Sequence, residues 1–139
     1  MLKTAVFRRL WDWKGPFCVD CCCSPDAVQR DMAGRELQYV SPFMRESLHR
    51  NVLTFCHPGK LYAFPPAPII GSLIGHVLRE KLKMIMVVPE WPTQLWYALT
   101  KGHESMCLGL IGEKAASGKA GLGHPFGRSF EREWHSVEM

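Results

Sequence analysis

No stretch of this 139-residue chain reaches the 18 consecutive apolar residues of a membrane span. An excess of one charge is also missing: 17 Lys and Arg face 13 Asp and Glu, a net +4. That excess lies in residues 1–100, with 12 basic against 8 acidic residues, whereas the last 39 residues carry five of each. Nucleic-acid binders cluster their basic residues, and here Arg8, Arg9 and Lys14 come nearest to a patch; they suit a solvated helix face. The first 17 residues lack an uninterrupted apolar core, because charges stand at positions 3, 8, 9, 12 and 14, so no secretory signal is expected. Asp12 and the absence of serine there count against a mitochondrial presequence. The expected compartment is intracellular, cytoplasmic or nuclear, with no membrane partner.

Six cysteines, at 18, 21, 22, 23, 56 and 107, then read as reduced thiols. Cys18-x-x-Cys21 has the spacing of a redox or zinc knuckle. Residues 17–23 nevertheless read as one apolar strand, with cysteine as a small hydrophobe. Zinc would need two further ligands, and Cys56-His57 are neighbours rather than a spaced pair. No metal is expected.

What the chain does contain is apolar material, 47% of its residues, enough to bury a core without covalent staples. Residues 4–14 read as a helix with Val6, Leu10 and Trp13 on one side, ended by Gly15-Pro16. Residues 17–23 follow as a buried strand. Ser24 and Pro25 suit the cap and first position of a helix through Met32. Residues 37–40 and 51–55 are strand candidates, with breaks at Pro42 and Pro58. Residues 60–64 form a strand that stops at Pro65-Pro66. A helix over 68–82 carries Ile69, Ile70, Leu73, Ile74, Val77, Leu78 and Leu82 at helical spacing, and Arg79, Lys81 and Lys83 complement its dipole. Residues 84–88 form another buried strand, so strand, helix and strand make a βαβ unit with parallel strands. Residues 92–100 read as a short helix with Leu95, Trp96 and Leu99 inward. From 101 on, where seven of the twelve glycines lie, the chain reads as a flexible tail, with a helical turn near 129–135. The expected fold is a three-layer α/β domain over 1–100 with a small parallel or mixed sheet.

In open α/β sheets, ligands bind beyond the carboxyl ends of the strands. That rule gathers Asp20, Phe64-Pro65-Pro66 and Pro89-Glu90-Trp91-Pro92 at one edge as the candidate site. Other motifs fail on spacing. Gly112-x5-Gly118-Lys119-Ala120 has one residue too many for a phosphate loop and Ala for Ser/Thr. Gly121-x-Gly123-x-x-x-Gly127 is off the dinucleotide spacing. The six histidines are scattered, and His76, beside Arg79 and Glu80, reads as solvated. Trp91 and Trp96 read as core, with a base-stacking platform as the alternative.

Five strings carry a family resemblance: Phe17-Cys-Val-Asp20 with Ser24-Pro-Asp-Ala, Tyr62-Ala-Phe-Pro-Pro66, Ile69-Ile-Gly-Ser-Leu-Ile-Gly-His-Val-Leu78, and Val87-Val-Pro-Glu-Trp-Pro-Thr-Gln-Leu-Trp-Tyr97. In this order they resemble the segment downstream of reverse transcriptase and ribonuclease H in polyproteins of DIRS-type (tyrosine-recombinase) retrotransposons, over residues 5–100. That segment is similar to Dam-like, phage-type N6-adenine methyltransferases, which implies a Rossmann-like fold and S-adenosylmethionine as cofactor. In those enzymes an Asn/Asp-Pro-Pro-Tyr/Phe tetrapeptide ends a strand. Its polar residue and a proline carbonyl accept from the adenine amine, and its aromatic ring stacks on the flipped base. The matching positions here are Phe64, Pro65, Pro66 and Ala67. Phenylalanine accepts no amine hydrogen bond and alanine cannot stack.

The resemblance also implies a glycine-rich cofactor turn after the first strand, where this chain has Cys21-Cys22-Cys23-Ser24-Pro25. Asp20 matches an acidic position that would hold a ribose hydroxyl; as a lone Asp at a strand end it reads equally as a loop ligand. The expectation is a non-catalytic methyltransferase-like domain that once helped a retroelement polymerase handle nucleic acid. The alternatives are a surviving S-adenosylmethionine-dependent enzyme and a decayed reading frame, the latter suggested by the Gly-rich tail and a Met1 inside the domain pattern.

Overall fold

The computed structural model describes residues 2–24, 27–43, 46–103, 105–110 and 133–138, the last two stretches as backbone strands. Helix α1 (Thr4–Lys14) leads into strands β1 (Val19–Asp20), β2 (Gln38–Tyr39) and β3 (Lys60–Ala63). Helix α2 (Ile70–Glu80), β4 (Lys83–Pro89), β5 (Ser105–Leu110) and β6 (Glu133–Glu138) follow. All six strands form one sheet in the order β2-β1-β3-β4-β6-β5. The first four are parallel, with Val19 opposite both Gln38 and Leu61, and Leu61 opposite Met84. β6 runs antiparallel between β4 and β5.

Gly15 ends α1 because a side chain there would set its Cβ 2.5 Å from the Trp11 carbonyl oxygen; the Gly15–Pro16 peptide is cis. Alternation along the strands then sorts the core onto two faces. Leu61, Ala63, Met84, Met86 and Val88 face α2, which presents Ile70, Leu73, Ile74 and Val77. Tyr62, Ile85 and Val87 face α1 with its Phe7 and Leu10. The α1 side is pinned by aromatic rings: Phe7 meets Tyr62 edge-on at 4.8 Å, and Trp11 meets Phe17 edge-on at 5.7 Å. Pairs of this kind contribute about 0.5–1.5 kcal/mol each beyond their buried area.

The βαβ unit therefore forms as its pattern predicts, with β3 and β4 parallel and α2 between them. The helix is shorter than the 68–82 stripe: residues Ala67–Ile69 are a 3-10 turn, and Lys81 closes the helix in a left-handed conformation, φ 54°. Three other expectations are corrected. Residues 27–32 are not helical. The Gln29 N–H is taken by Asp20, and Arg30 bridges Glu36 across a turn, so these residues cannot feed a helical ladder. Residues 51–55 are not a strand but a 3-10 turn, Val52–Thr54, because the Asn51 side chain accepts from the Leu53 N–H and caps it. Residues 95–100 also form a 3-10 helix, and Leu95 is 96% exposed rather than inward, with Leu99 exposed as well.

The stretch read as a tail contributes two strands of the sheet, so a boundary at residue 100 cuts through it. Residues 133–135 belong to β6, not to a helical turn; 111–132, with both glycine-rich motifs, lie outside the described residues. Among the described residues no helix is long and apolar enough to cross a membrane.

Candidate functional site

The chain leaves β1 for β2 on one side, then returns past β1 to β3 on the other. That reversal makes the gap between β1 and β3 a topological switch point, where the loops leaving the carboxyl ends part in opposite directions. The two loops there are Asp20 to Ser24 and Phe64 to Ala67, with Glu90 and Trp91 leaving β4 one strand further on. The sequence-derived site residues thus share one sheet edge.

Their side chains differ in what they face. Asp20 lies in register with Tyr62 and is only 2% exposed. Its Oδ2 accepts from the Gln29 N–H at 3.0 Å. Burial pushes its carboxyl up to about 7, against the pull of the Gln29 and Cys22 backbone N–H groups. Its carboxyl is thus engaged as a loop ligand, the second of its two sequence readings. Gln29, itself buried, donates through Nε2 to the Leu2 carbonyl at 2.9 Å. The fully buried Tyr62 hydroxyl lies beside the Gln29 amide without reaching hydrogen-bonding geometry.

Cys21 belongs to the α2-side core and Cys22 packs against it. Cys23 Sγ lies 3.9 Å from the Asp20 carbonyl oxygen. Burial, with the Asp20 charge as a lesser cause, raises all three thiols, Cys23 to about 12. They are protonated at neutral pH and so are poor nucleophiles and ligands. Phe64 packs its ring against the α1-side core, while Ala67 packs against the α2 side. Pro65 is buried and Pro66 exposed. The Pro66 carbonyl accepts from the Ile69 N–H at 3.1 Å and so starts the turn into α2.

At the β4 end, Glu90 Oε1 accepts from the Tyr97 hydroxyl at 3.4 Å. Burial first, and the Glu90 charge second, raise the Tyr97 hydroxyl above its ordinary value. Trp91 and Trp96 are buried, their rings 6.5 Å apart, and Trp96 lies over Gly71 of α2. Both tryptophans serve the core, as the sequence reads them, and Tyr97 is part-exposed at this rim. Neither Tyr97 nor Gln29 had a signal in the sequence: a strand end, a turn and a 3-10 helix separate Glu90 from Tyr97, and Gln29 joins two segments distant from its own.

Away from this edge, Cys18 is exposed and Cys21 buried, so the Cys-x-x-Cys pair is split between surroundings. Cys18 Sγ and the His57 ring instead flank Gly59, where an added Cβ would meet them at 2.7 and 3.1 Å. The described residues hold no group of three His, Cys, Asp or Glu arranged for a metal ion. An open groove of about 560 Å³ lies between Trp11, Phe17, Cys18, Met32, Arg35 and Leu37. It is at the amino ends of β1 and β2, opposite the switch point, and its Arg35 pairs with Asp31 at 3.4 Å. His76, expected in solvent, is buried, with Nε2 2.6 Å from the Phe55 carbonyl oxygen.

Comparison with protein-family models, with curated proteins and with solved structures finds no match to this chain.

Proposed function

We propose that this chain is a methyltransferase-like α/β domain of retroelement origin, with a Rossmann-like core, that does not methylate adenine and serves nucleic-acid handling beside a polymerase. One observation carries the reading. Phe64-Pro65-Pro66-Ala67 leaves the carboxyl end of β3 at the switch point, where the resembled enzymes hold their target base, yet its two chemically active positions are apolar.

The chemistry explains why that matters. The exocyclic amine of adenine is a weak nucleophile, and attack on a sulfonium methyl builds positive charge on nitrogen. A positioned acceptor stabilises that charge, and groups of this kind contribute about 3–4 kcal/mol each. Phe64 supplies no acceptor, and its ring is engaged by the core. Loss of a stacking ring at Ala67 removes a further ~1–3 kcal/mol of base binding. Across β1, the cysteine loop replaces the glycine-rich turn that brings backbone N–H groups close to a cofactor. S-adenosylmethionine is therefore not expected to bind.

The test is transfer of labelled methyl from S-adenosylmethionine to adenine-rich DNA, with a calorimetric titration of the cofactor alongside. No transfer and no binding heat are expected. Transfer above background that disappears in Pro65→Ala would replace this reading with that of a working enzyme.

A further inference from the structure

The carboxyl ends of both helices and the amino ends of β3 and β4 meet at the sheet edge opposite the switch point. Helix α1 ends there at Lys14, four residues before Cys18, whose N–H bonds the Lys60 carbonyl at 2.7 Å. Lys60 opens β3, Lys83 opens β4, and the two are partners in the parallel register. They stand two residues before Tyr62 and Ile85, which face α1, so by strand alternation both lie on the α1 face. Helix α2 adds Arg79 and its closing residue Lys81, exposed like Lys83. Half-exposed Trp13 lies beside Lys14, whose Nζ is 5.4 Å from its ring centre. Each helix also brings an acid in its last turn, Asp12 and Glu80, and β6 ends at Glu138, level with Ile85 and inward of Lys83. Five cations from two helix ends and two strands thus share one edge, a cluster that the sequence keeps apart.

The needs of the fold do not account for this gathering. A helix carboxyl end favours cations only within its last turn, and Lys14, Arg79 and Lys81 supply them. Lys60 and Lys83 lie instead on neighbouring strands, whose backbones run about 4.8 Å apart. Like charges set opposite one another across strands work against folding, and an anionic partner offsets that repulsion. We propose that the rim of Lys14, Lys60, Arg79, Lys81 and Lys83 is a docking surface for the phosphate backbone of nucleic acid. The inference rests on the nucleic-acid part of the function proposed above and assigns that contact to the edge away from Phe64-Pro65-Pro66-Ala67. Lysine dominates the rim and meets phosphate as a point charge, so the contact holds register without reading sequence.

The experiment titrates the intact chain into a labelled DNA duplex of mixed sequence, read by fluorescence anisotropy, at salt from about 0.05 to 0.2 M. The logarithm of the binding constant is expected to fall with that of salt at about −0.9 for each phosphate neutralised, roughly −3 to −4 for this rim. Lys60→Gln with Lys83→Gln is expected to weaken binding about tenfold or more and to flatten the slope by about 2. Arg50 follows His49, which bridges Val40 beyond β2, and Lys101 follows the turn that leaves β4. Arg50→Gln with Lys101→Gln therefore removes the same charge from the carboxyl edge, and is expected to leave affinity and slope nearly unchanged. Equal losses in the two pairs, or no loss in the first, would overturn the rim and leave the nucleic-acid reading standing. No binding by the parent chain at the lowest salt would overturn both. Should the double variant not fold, Lys83→Gln alone, at an exposed position, decides by a slope change of about 1.

Discussion

Lys81 adopts φ 54° at the end of α2, a region that costs an L-residue about 1–2 kcal/mol and costs glycine almost nothing. It is used here because the Leu82 N–H must turn back to the Val77 carbonyl, at 3.0 Å, before β4 begins. Lys81→Gly is therefore expected to stabilise the fold by roughly 0.5–1 kcal/mol, the relief of strain outweighing the added freedom of the unfolded chain. Thermal unfolding of the two forms checks it, and a lowered midpoint would count against the strain argument. His76 and Asp20 illustrate the same scale. Each is a polar residue buried against one backbone group: the Phe55 carbonyl and the Gln29 N–H. The sequence offered the loop-ligand role for Asp20 but read His76 as solvated, and neither partner was legible, because they lie 21 and 9 residues away in segments without regular structure.

Among the elements, α2 was readable and the 95–100 helix only partly so. An α-helical stripe brings residues four apart onto one face. A 3-10 helix, with three residues per turn, rotates them about 120° apart. Leu95 and Leu99 therefore do not share a face; Trp96 is the buried residue of the segment, and Tyr97 packs part-exposed beside it. Leu95→Gln is expected to change stability by less than about 0.5 kcal/mol. Trp96→Ala, which empties a site over Gly71 and beside Trp91, is expected to cost about 3–5 kcal/mol. Denaturant titration separates the two; equal losses would mean that Leu95 is buried in solution.

Across the whole molecule, β6 lies between β4 and β5, antiparallel to both. Without it, β4 would present an open edge of apolar sequence and β5 would have no partner among the described strands. A chain ending at residue 132 is expected to lose cooperative unfolding and to self-associate, as unpaired edges do. Circular dichroism melts with size-exclusion chromatography would show this. A monomer that melts like the full chain would instead make the 1–100 unit self-sufficient.

The sequence by itself determined what depends on neighbours along the chain. Apolar runs at 60–64 and 84–88 bounded by prolines, with a helical stripe between them, can satisfy their backbones and bury their faces in essentially one way, as parallel strands under a crossover helix. The stop at Gly15 and the proline turn after β3 are equally local. The position of the candidate site followed, because strand direction fixes which ends lie together. Tertiary structure decided the rest, where local preference is weak and a distant partner outbids it. The 24–32 sequence has helix-starting residues but no apolar stripe, so Asp20, Leu2 and Glu36 captured Gln29 and Arg30 through hydrogen bonds and a bridge. The 133–138 strand is mostly polar and reads as tail, yet strand pairing is chosen by an available edge rather than by composition. The edge it completes belongs to β4, more than forty residues earlier in the chain.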